Sequence, residues 1–214
     1  MTVSKRISGN YILQPVWNDQ ISNLFFTKLV HAKDKSQYLR IQACTLAPAH
    51  PKVALELLQR YFALGEHFDQ AQAFVDQATA YLALGDQQRA VEAYERALAR
   101  ERQFPNVRTQ AVIDLPFLIA TRRMQEHYDT ALDLVRQSSK NAVALLPVEV
   151  FKQQATIALI SADFGNQQAA RDHAARAIEA AATQNSGSRY HPTLGLVGSK
   201  FDDVRVSLMA ILNQ

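Results

Sequence analysis

Apolar residues recur at three- and four-residue steps along most of the chain, the spacing of one face of an amphipathic helix. Within residues 67–84 these positions are Ala71, Phe74, Val75, Ala78, Tyr81 and Leu82. Gly85 and Asp86 interrupt the pattern, and a second stripe follows at Ala90, Val91, Tyr94, Ala97 and Leu98. Glycine commonly ends a helix, and aspartate caps the next one by accepting a backbone N–H. Residues 67–103 therefore predict an antiparallel helical hairpin.

The same pattern predicts an all-α chain of about ten helices, because no segment alternates as a strand does. The predicted hairpins lie near residues 36–64, 67–103, 107–140 and 147–184. A helix from about Pro15 to His31 precedes them. The predicted domain organisation is an N-terminal arm and helix in residues 1–35, hairpins in 36–184, a glycine-rich loop in 185–200 and a capping helix in 201–214, helical from Phe201 to Leu212.

Two segments leave alternatives open. The segment that begins at His67 can be read as the second helix of an earlier hairpin, but we place it as a first helix because Gly85 and Asp86 follow it. Pro116 either kinks a helix, at a cost of roughly 3 kcal/mol, or follows a late helix start capped by Asp114. A kink would change the curvature of the repeat, whereas a late start would be a structural detail.

Small residues follow each predicted turn, and they allow two helices to approach closely. Ala90, Ala131 and Ala170 occupy the corresponding position in three hairpins. A larger side chain at such a crossing would overpack it by about 1–3 kcal/mol. The hairpins are therefore expected to stack closely on one another.

These features resemble the tetratricopeptide repeat family over about residues 67–184. That family combines a small residue and an aromatic in its first helix, a Gly-Asp or Gly-Asn turn, and a second helix with Ala, an aromatic and Ala, often followed by Pro. Two later copies match less well, since Arg122 and Ser161 replace the first aromatic and Val135 and Ala174 replace the second. The best copy provides Ala78, Tyr81, Gly85-Asp86, Ala90, Tyr94, Ala97 and Pro105.

The resemblance implies a right-handed α-α superhelix whose first helices line a concave groove. Mostly small and apolar side chains would suit an amphipathic helix or an apolar peptide, although the same residues could simply be buried between helices. The Lys, Arg and Asn clamp with which some relatives hold a terminal carboxylate is absent. The implied lining is Gln72, Val75, Thr79 and Leu82, then Ile113, Pro116, Ala120 and Arg123, then Lys152, Ala155 and Leu159.

The loop of residues 185–200 departs from the helical pattern. Gly187, Gly195 and Gly198 fall within it, although the chain has only seven glycines. Arg189, Tyr190 and His191 are its side chains suited to recognition, and loops often carry binding residues. Alternatively, Tyr190 and the apolar run 194–197 attach the loop to the repeat surface.

Composition argues against several classes of function. The formal charge of +3 is spread along the chain, whereas a nucleic-acid-binding protein usually concentrates basic residues on one face. The single Cys44 lies in an apolar stretch, which predicts a buried side chain and fits a reducing compartment. Without a secretory signal or an apolar run long enough for a membrane span, we expect a cytoplasmic protein.

No motif for catalysis is present in the sequence. The six histidines are dispersed without the spacing of a zinc site, and glycine-rich phosphate loops and nucleophile elbows are absent. We therefore expect no metal or cofactor. The expected function is a non-enzymatic scaffold that binds a protein or peptide in its groove, or that self-associates. A ligand- or peptide-responsive sensor is the alternative, and an enzyme subunit has the least support.

Overall fold

The computed structural model describes residues 15–140 and 145–214 of the chain, and these contain ten α-helices and no strand. The all-helical prediction is confirmed. Two short 3-10 turns lie at Gln125–His127 and Ser199–Phe201. The helices are α1 (Asp19–Val30), α2 (Lys35–Leu46), α3 (Pro51–Ala63), α4 (Gln70–Ala83), α5 (Gln87–Gln103), α6 (Ala111–Thr121), α7 (Tyr128–Lys140), α8 (Pro147–Asp163), α9 (Gln167–Ala182) and α10 (Asp202–Leu212).

The chain divides into two compact units, which are described separately. Unit 1 comprises Met1–Ala111 and contains α1 to α5, and unit 2 comprises Val112–Gln214 and contains α6 to α10. In the described parts of the chain, none of the helices combines the length and the apolar character that a membrane crossing needs.

Unit 1 is built from helices that pack against their neighbours in sequence. Helix α2 packs against α3, α3 against α4, and α4 against α5. Pro51 starts α3 at a position where its missing N–H costs nothing, and Gly65 follows the helix with a φ of 102°. The core contains Leu39, Ala43, Leu46, Ala54, Leu57, Leu58, Tyr61, Ala73 and Ala80.

Helix α1 begins later than the sequence pattern predicts. Asn18 caps it, because the Ile21 N–H donates to Asn18 Oδ1 at 2.9 Å. Trp17, just before the cap, packs edge-on against the rings of Phe25 and Phe26. The residues from Pro15 therefore lead into the helix rather than belonging to it.

The predicted turns of two hairpins have the expected chemistry. Gly85 and Gly165 both adopt a φ of 76°, in the left-handed region that favours glycine. Asp86 then caps α5 by accepting from the Arg89 N–H at 3.0 Å. Asn166 caps α9 in the same way, with the Ala169 N–H donating at 3.2 Å.

Unit 2 is closed by the last helix. Helix α8 packs against α9, and α10 packs against both of them. The alanines that the pattern placed at close crossings are fully buried, so the helices do approach there. The core contains Phe151, Ala155, Ala158, Ala170, Ala174, Ala177, Val197, Phe201, Leu208 and Ile211.

Pro116 lies inside α6 and is the sixth residue of the helix, which starts at Ala111. The late-start alternative is therefore wrong. Asp114 does not cap α6, and its carboxylate instead accepts from Lys152 Nζ at 2.5 Å. Pro116 removes one helical hydrogen bond, and its burial in an apolar environment offsets part of that cost.

Candidate functional site

The predicted lining residues of unit 1 lie on α4 and interact mainly within their own helix. Val75 is buried, whereas Gln72, Thr79 and Leu82 are half-buried. Gln72 Nε2 donates to Asp76 Oδ1 at 3.2 Å, and the Thr79 hydroxyl donates to the Val75 carbonyl at 3.1 Å. These side chains have little polar capacity left for a ligand.

A buried charge cluster lies behind this face, formed by Arg40, Asp69, Asp76 and Tyr61. Arg40 Nε donates to Asp69 Oδ2 at 2.5 Å, and its Nη1 donates to Asp76 Oδ2 at 3.2 Å. Tyr61 Oη donates to Asp69 Oδ1 at 2.6 Å. The cluster therefore joins α2, α3 and the start of α4 through one guanidinium and two carboxylates.

Burial controls the electrostatics of this cluster. Asp76 is 3% exposed, and burial raises its pKa even though Gln72 and Arg40 favour the charged form. Burial also raises the pKa of Tyr61, and the hydrogen bond to Asp69 adds to the effect. For Arg40, burial lowers the pKa, but Asp69 and Asp76 outweigh it and the net shift is upward. The charge of Arg40 is fully compensated by the two carboxylates, so the cluster serves the fold.

Cys44 is exposed, which corrects the sequence-based prediction of a buried side chain. The protein around its thiol, together with the nearby Asp76 carboxylate, raises the pKa of Cys44 to about 11. The nucleophilic form of a cysteine is the thiolate. At neutral pH this residue is therefore protonated and unreactive, despite its position at the surface.

Unit 2 brings three of the predicted lining residues together and separates the others from them. Ala120, Arg123 and Leu159 line one cleft, whereas Ile113 is buried outside it. Lys152 is paired with Asp114 and lies over the rings of two phenylalanines that border the cleft, Phe117 and Phe201.

The cleft lies between α6, α8 and the segment that leads into α10, and its volume is about 330 Å³. We call it the basic cleft. Its floor is apolar, and its remaining lining is polar or charged. The floor consists of Phe117, Ala120, Leu159, Phe201 and Val204, and the rest of the lining is Thr121, Arg122, Arg123, Lys200, Asp203 and Ser207.

Positive charge exceeds negative charge in the lining of the basic cleft. Arg122, Arg123 and Lys200 contribute three cations, and Asp203 contributes the single carboxylate of the lining. Arg122 and Lys200 pair with no carboxylate among residues 15–140 and 145–214. Arg123 is 75% exposed and lies 4.0 Å from Asp163. A weak, solvated contact of this length leaves most of the Arg123 charge available.

Arg123 also has an unusual backbone conformation. Its φ is 52°, and no other non-glycine residue in the described parts of the chain has a positive φ. It occupies the same place as Gly85 and Gly165 in the other two turns, and one backbone hydrogen bond identifies the shared geometry. That bond runs from Asp86 N to Tyr81 O, from Asn166 N to Ser161 O and from Met124 N to Ile119 O, at 2.9, 2.9 and 3.0 Å.

A left-handed arginine costs roughly 1 kcal/mol relative to the glycine that the other two turns use. Strained residues of this kind persist where the rest of the structure holds them, and they concentrate at functional sites. The strain and the position of the side chain in the basic cleft therefore single out the same residue.

Sequence reasoning missed the part of the cleft that the C-terminal segment provides. Lys200, Asp203 and Ser207 were not candidates, because they lie far from α6 in the sequence. Arg122 was noted only as a departure from the repeat pattern. The pair Arg122-Arg123, at the turn where other copies carry Gly, was the available signal.

The loop of residues 185–200 is attached through the predicted run 194–197 but not through Tyr190. Arg189, Tyr190 and His191 are exposed, with Tyr190 78% exposed, so the prediction that Tyr190 anchors the loop is wrong. Val197 is buried instead. The Gly195 carbonyl accepts from the Val148 N–H at 2.8 Å, which joins the loop to the start of α8.

A second cleft of about 520 Å³ lies in unit 2 between the start of α8, the end of α9 and the following loop. Gln154 lines it, and its Oε1 lies 2.7 Å from His173 Nδ1, from which it accepts when Nδ1 carries the hydrogen. Loss of water around His173, and then the nearby Arg176, lower the pKa of this imidazole. The further lining includes Leu145, Pro147, Val150, Arg176, Glu179, Ala180 and Thr183.

Within the described residues, no three His, Cys, Asp or Glu side chains lie close enough together to hold a metal ion. No protein-family model, curated protein sequence or solved structure gives a significant match to this chain. The resemblance to tetratricopeptide repeats therefore depends on the residues named above.

Proposed function

We propose that this chain is a non-enzymatic protein-interaction module that holds a peptide segment of a partner in the basic cleft of unit 2. The observation that carries the proposal is the cleft itself, in which an apolar floor is surrounded by polar side chains. Peptide-binding grooves combine these two elements, since apolar pockets provide affinity and polar groups fix the orientation.

The size and exposure of the floor favour a peptide. A cleft of about 330 Å³ is at the lower end of the range for small-molecule sites. Phe117, Leu159 and Val204 are half-buried, so one apolar side chain of a partner could cover them. The partner's main chain would then pass the polar side chains at the edge of the cleft.

The repeat resemblance supports the same function. In the tetratricopeptide repeat family the first helices of the hairpins form the binding surface, and α6 and α8 are first helices in our assignment. The module would then present Arg123 and Leu159 to the partner. A cytoplasmic location remains our expectation from the sequence.

Selection of peptides from a displayed random library tests this proposal. The library would be selected against the wild-type chain and counter-selected against Ser207→Trp, which fills the cleft from an exposed position on α10. Ala210→Trp is the matched control, because Ala210 is exposed on the same helix and does not line the cleft. We expect peptides that bind the wild type and Ala210→Trp but not Ser207→Trp.

Two results would contradict the proposal. In the first, no peptide distinguishes Ser207→Trp from the control although both variants retain the wild-type melting temperature. In the second, light scattering shows that the chain forms a stable oligomer that Ser207→Trp dissociates. The basic cleft would then hold a second copy of the chain rather than a partner's peptide.

A ligand-responsive sensor is a second candidate, and the larger cleft favours it. Its volume of about 520 Å³ falls within the range of small-molecule sites, and its lining mixes apolar residues with Gln154 and Arg176. A thermal-shift screen against metabolites would support this candidate if a compound stabilised the wild type but not Val150→Trp. Stabilisation that persisted in Val150→Trp would exclude this cleft as the binding site.

A further inference from the structure

We infer that the segment bound in the basic cleft is acidic, with Asp or Glu side chains flanking an apolar residue. This inference rests on the proposed function and names the chemical class of its partner. It comes from two independent observations, the charge of the cleft and the backbone conformation of Arg123.

The first observation is that two cations of the basic cleft, Arg122 and Lys200, lack the carboxylate partner that several other cations of unit 2 have. Lys152 pairs with Asp114, Arg136 with Asp133 and Arg205 with Asp202. Arg122 and Lys200 have no such carboxylate within the described parts of the chain, and both are exposed in the cleft lining. Three cations around one carboxylate create a positive potential that attracts an acidic segment and repels a basic one.

The second observation concerns the choice of residue at position 123. Gly85 and Gly165 build the same turn without strain, so the turn itself does not require arginine. Nothing lies within 4 Å of a Cβ added at either glycine, so the cost of a non-glycine residue there comes from the backbone preference. An arginine that weakens the fold and lines a cleft with an exposed charge is consistent with a role in binding an anion.

The two observations give the ligand a definite arrangement. The apolar residue of the partner would cover Phe117, Leu159 and Val204, and its flanking carboxylates would lie beside Arg122, Arg123 and Lys200. Guanidinium groups bind carboxylates through paired N–H donors, which lysine cannot reproduce. The two adjacent arginines of the turn would therefore contribute most of the recognition.

The composition of the selected peptides tests the inference first. Peptides that depend on the basic cleft should be enriched in Asp and Glu relative to the unselected library. The strongest binder is then synthesised with a fluorescent label, together with a matched peptide in which each Glu and Asp becomes Gln and Asn. In anisotropy titrations we expect the amide peptide to bind about 10-fold more weakly, and salt to weaken the acidic peptide more than its amide counterpart.

Arg123 variants then separate binding from stability. Arg123→Gly should lower the affinity for the acidic peptide about 5-fold and raise the melting temperature by about 2–4 °C, because the strain is removed together with the charge. Arg123→Lys should retain part of the affinity without raising the melting temperature. Arg136→Gln is the control, because Arg136 is an exposed arginine of unit 2 that does not line the cleft.

The possible failures can be distinguished. Cleft-dependent peptides without acidic enrichment would overturn this inference and leave the proposed function intact. Absence of any cleft-dependent peptide would contradict the proposed function itself. If Arg123→Gly lowered the melting temperature, or if Arg136→Gln weakened binding as much as Arg123→Gly, the assignment of Arg123 would be wrong.

Discussion

The two units treat their basic residues in opposite ways. In unit 1, Arg40 is enclosed between Asp69 and Asp76, and its charge is neutralised within the fold. In unit 2, Arg122, Arg123 and Lys200 lie around an open cleft with one carboxylate among the lining residues. Charges of the first kind stabilise a structure, whereas charges of the second kind remain available to a partner. A charged residue in a repeat is therefore informative only together with its neighbours.

Removal of one guanidinium from each unit should distinguish a charge that stabilises the fold from a charge that is available to a partner. The difference in stability between these two variants is the largest effect that we expect. Arg40→Met leaves Asp69 and Asp76 without their cation and should lower the free energy of unfolding by about 3 kcal/mol. Arg122→Met should change it by less than about 0.5 kcal/mol, because that side chain is exposed.

Urea unfolding measures both variants of this pair. The single tryptophan, Trp17, packs in unit 1, so its fluorescence reports on the unit that contains Arg40. Circular dichroism follows the helices of the whole chain. Equal losses in the two variants would contradict the distinction between a neutralised and an available charge.

A substitution at Gly195 should weaken the structure that supports the basic cleft, although Gly195 itself does not line the cleft. Gly195 has a φ of 68°, and a Cβ there would lie 2.7 Å from Leu146 Cβ. Gly195→Ala should therefore destabilise unit 2 by about 2 kcal/mol, through backbone strain and overpacking. Hydrogen exchange at the start of α8 measures the local effect, since the Val148 N–H donates to the Gly195 carbonyl.

Gly198 provides the matched control for this substitution. Its φ is −86°, and nothing lies within 4 Å of an added Cβ. Gly198→Ala should therefore change stability by less than about 0.5 kcal/mol. A similar loss in both variants would mean that the close approach to Leu146 does not hold the loop.

The turns offer a smaller and more direct comparison. Gly165→Arg places in one turn of unit 2 the residue type that the neighbouring turn already has at Arg123. It should cost about 1 kcal/mol, because a left-handed arginine replaces a glycine and no atom lies within 4 Å of the added Cβ. Gly165→Asn should cost less, since asparagine tolerates this conformation. Thermal unfolding measures both variants. If Gly165→Arg were as stable as the wild type, the argument that Arg123 is strained would fail.

The smallest predicted effect concerns pH. The pKa of His173 is lowered in the folded chain, so the unfolded state binds more protons below about pH 6.5. Stability from this residue is therefore present above that pH and is lost as the pH falls toward the folded pKa. His173→Gln should make the unfolding midpoint less dependent on pH between about pH 5 and pH 7. An unchanged pH dependence would show that other groups control it.

The helices could be predicted from sequence because their signals are local. Apolar residues at helical spacing, Gly85 with Asp86, and Gly165 with Asn166 specify elements through neighbours a few residues away. The start of α1 differed by a few residues because Asn18 is a better cap than any residue before it. The local rule that proline breaks a helix also failed at Pro116, because the buried surroundings of this residue outweigh its helix-breaking preference.

The basic cleft and the charge cluster could not be predicted in the same way. Arg40, Asp69 and Asp76 meet only after three helices have packed, and Lys200 reaches the cleft only because the C-terminal segment folds back on α8. The exposure of Cys44 and Tyr190 likewise depends on which side of an element faces the core. Ala120, Arg123 and Leu159 were predicted as lining residues through the repeat resemblance, but the proposal of an acidic ligand required the neighbouring charges.

The left-handed arginine at the turn of the third hairpin has a practical consequence for engineering this chain. A laboratory evolution experiment that rewards heat resistance alone would favour glycine at position 123, and the resulting protein would express well and pass every test of folding. Under the proposed function, such a variant would bind its acidic peptide more weakly and show no defect in folding. A screen for improved versions of this protein should therefore score capture of an acidic peptide alongside thermal tolerance.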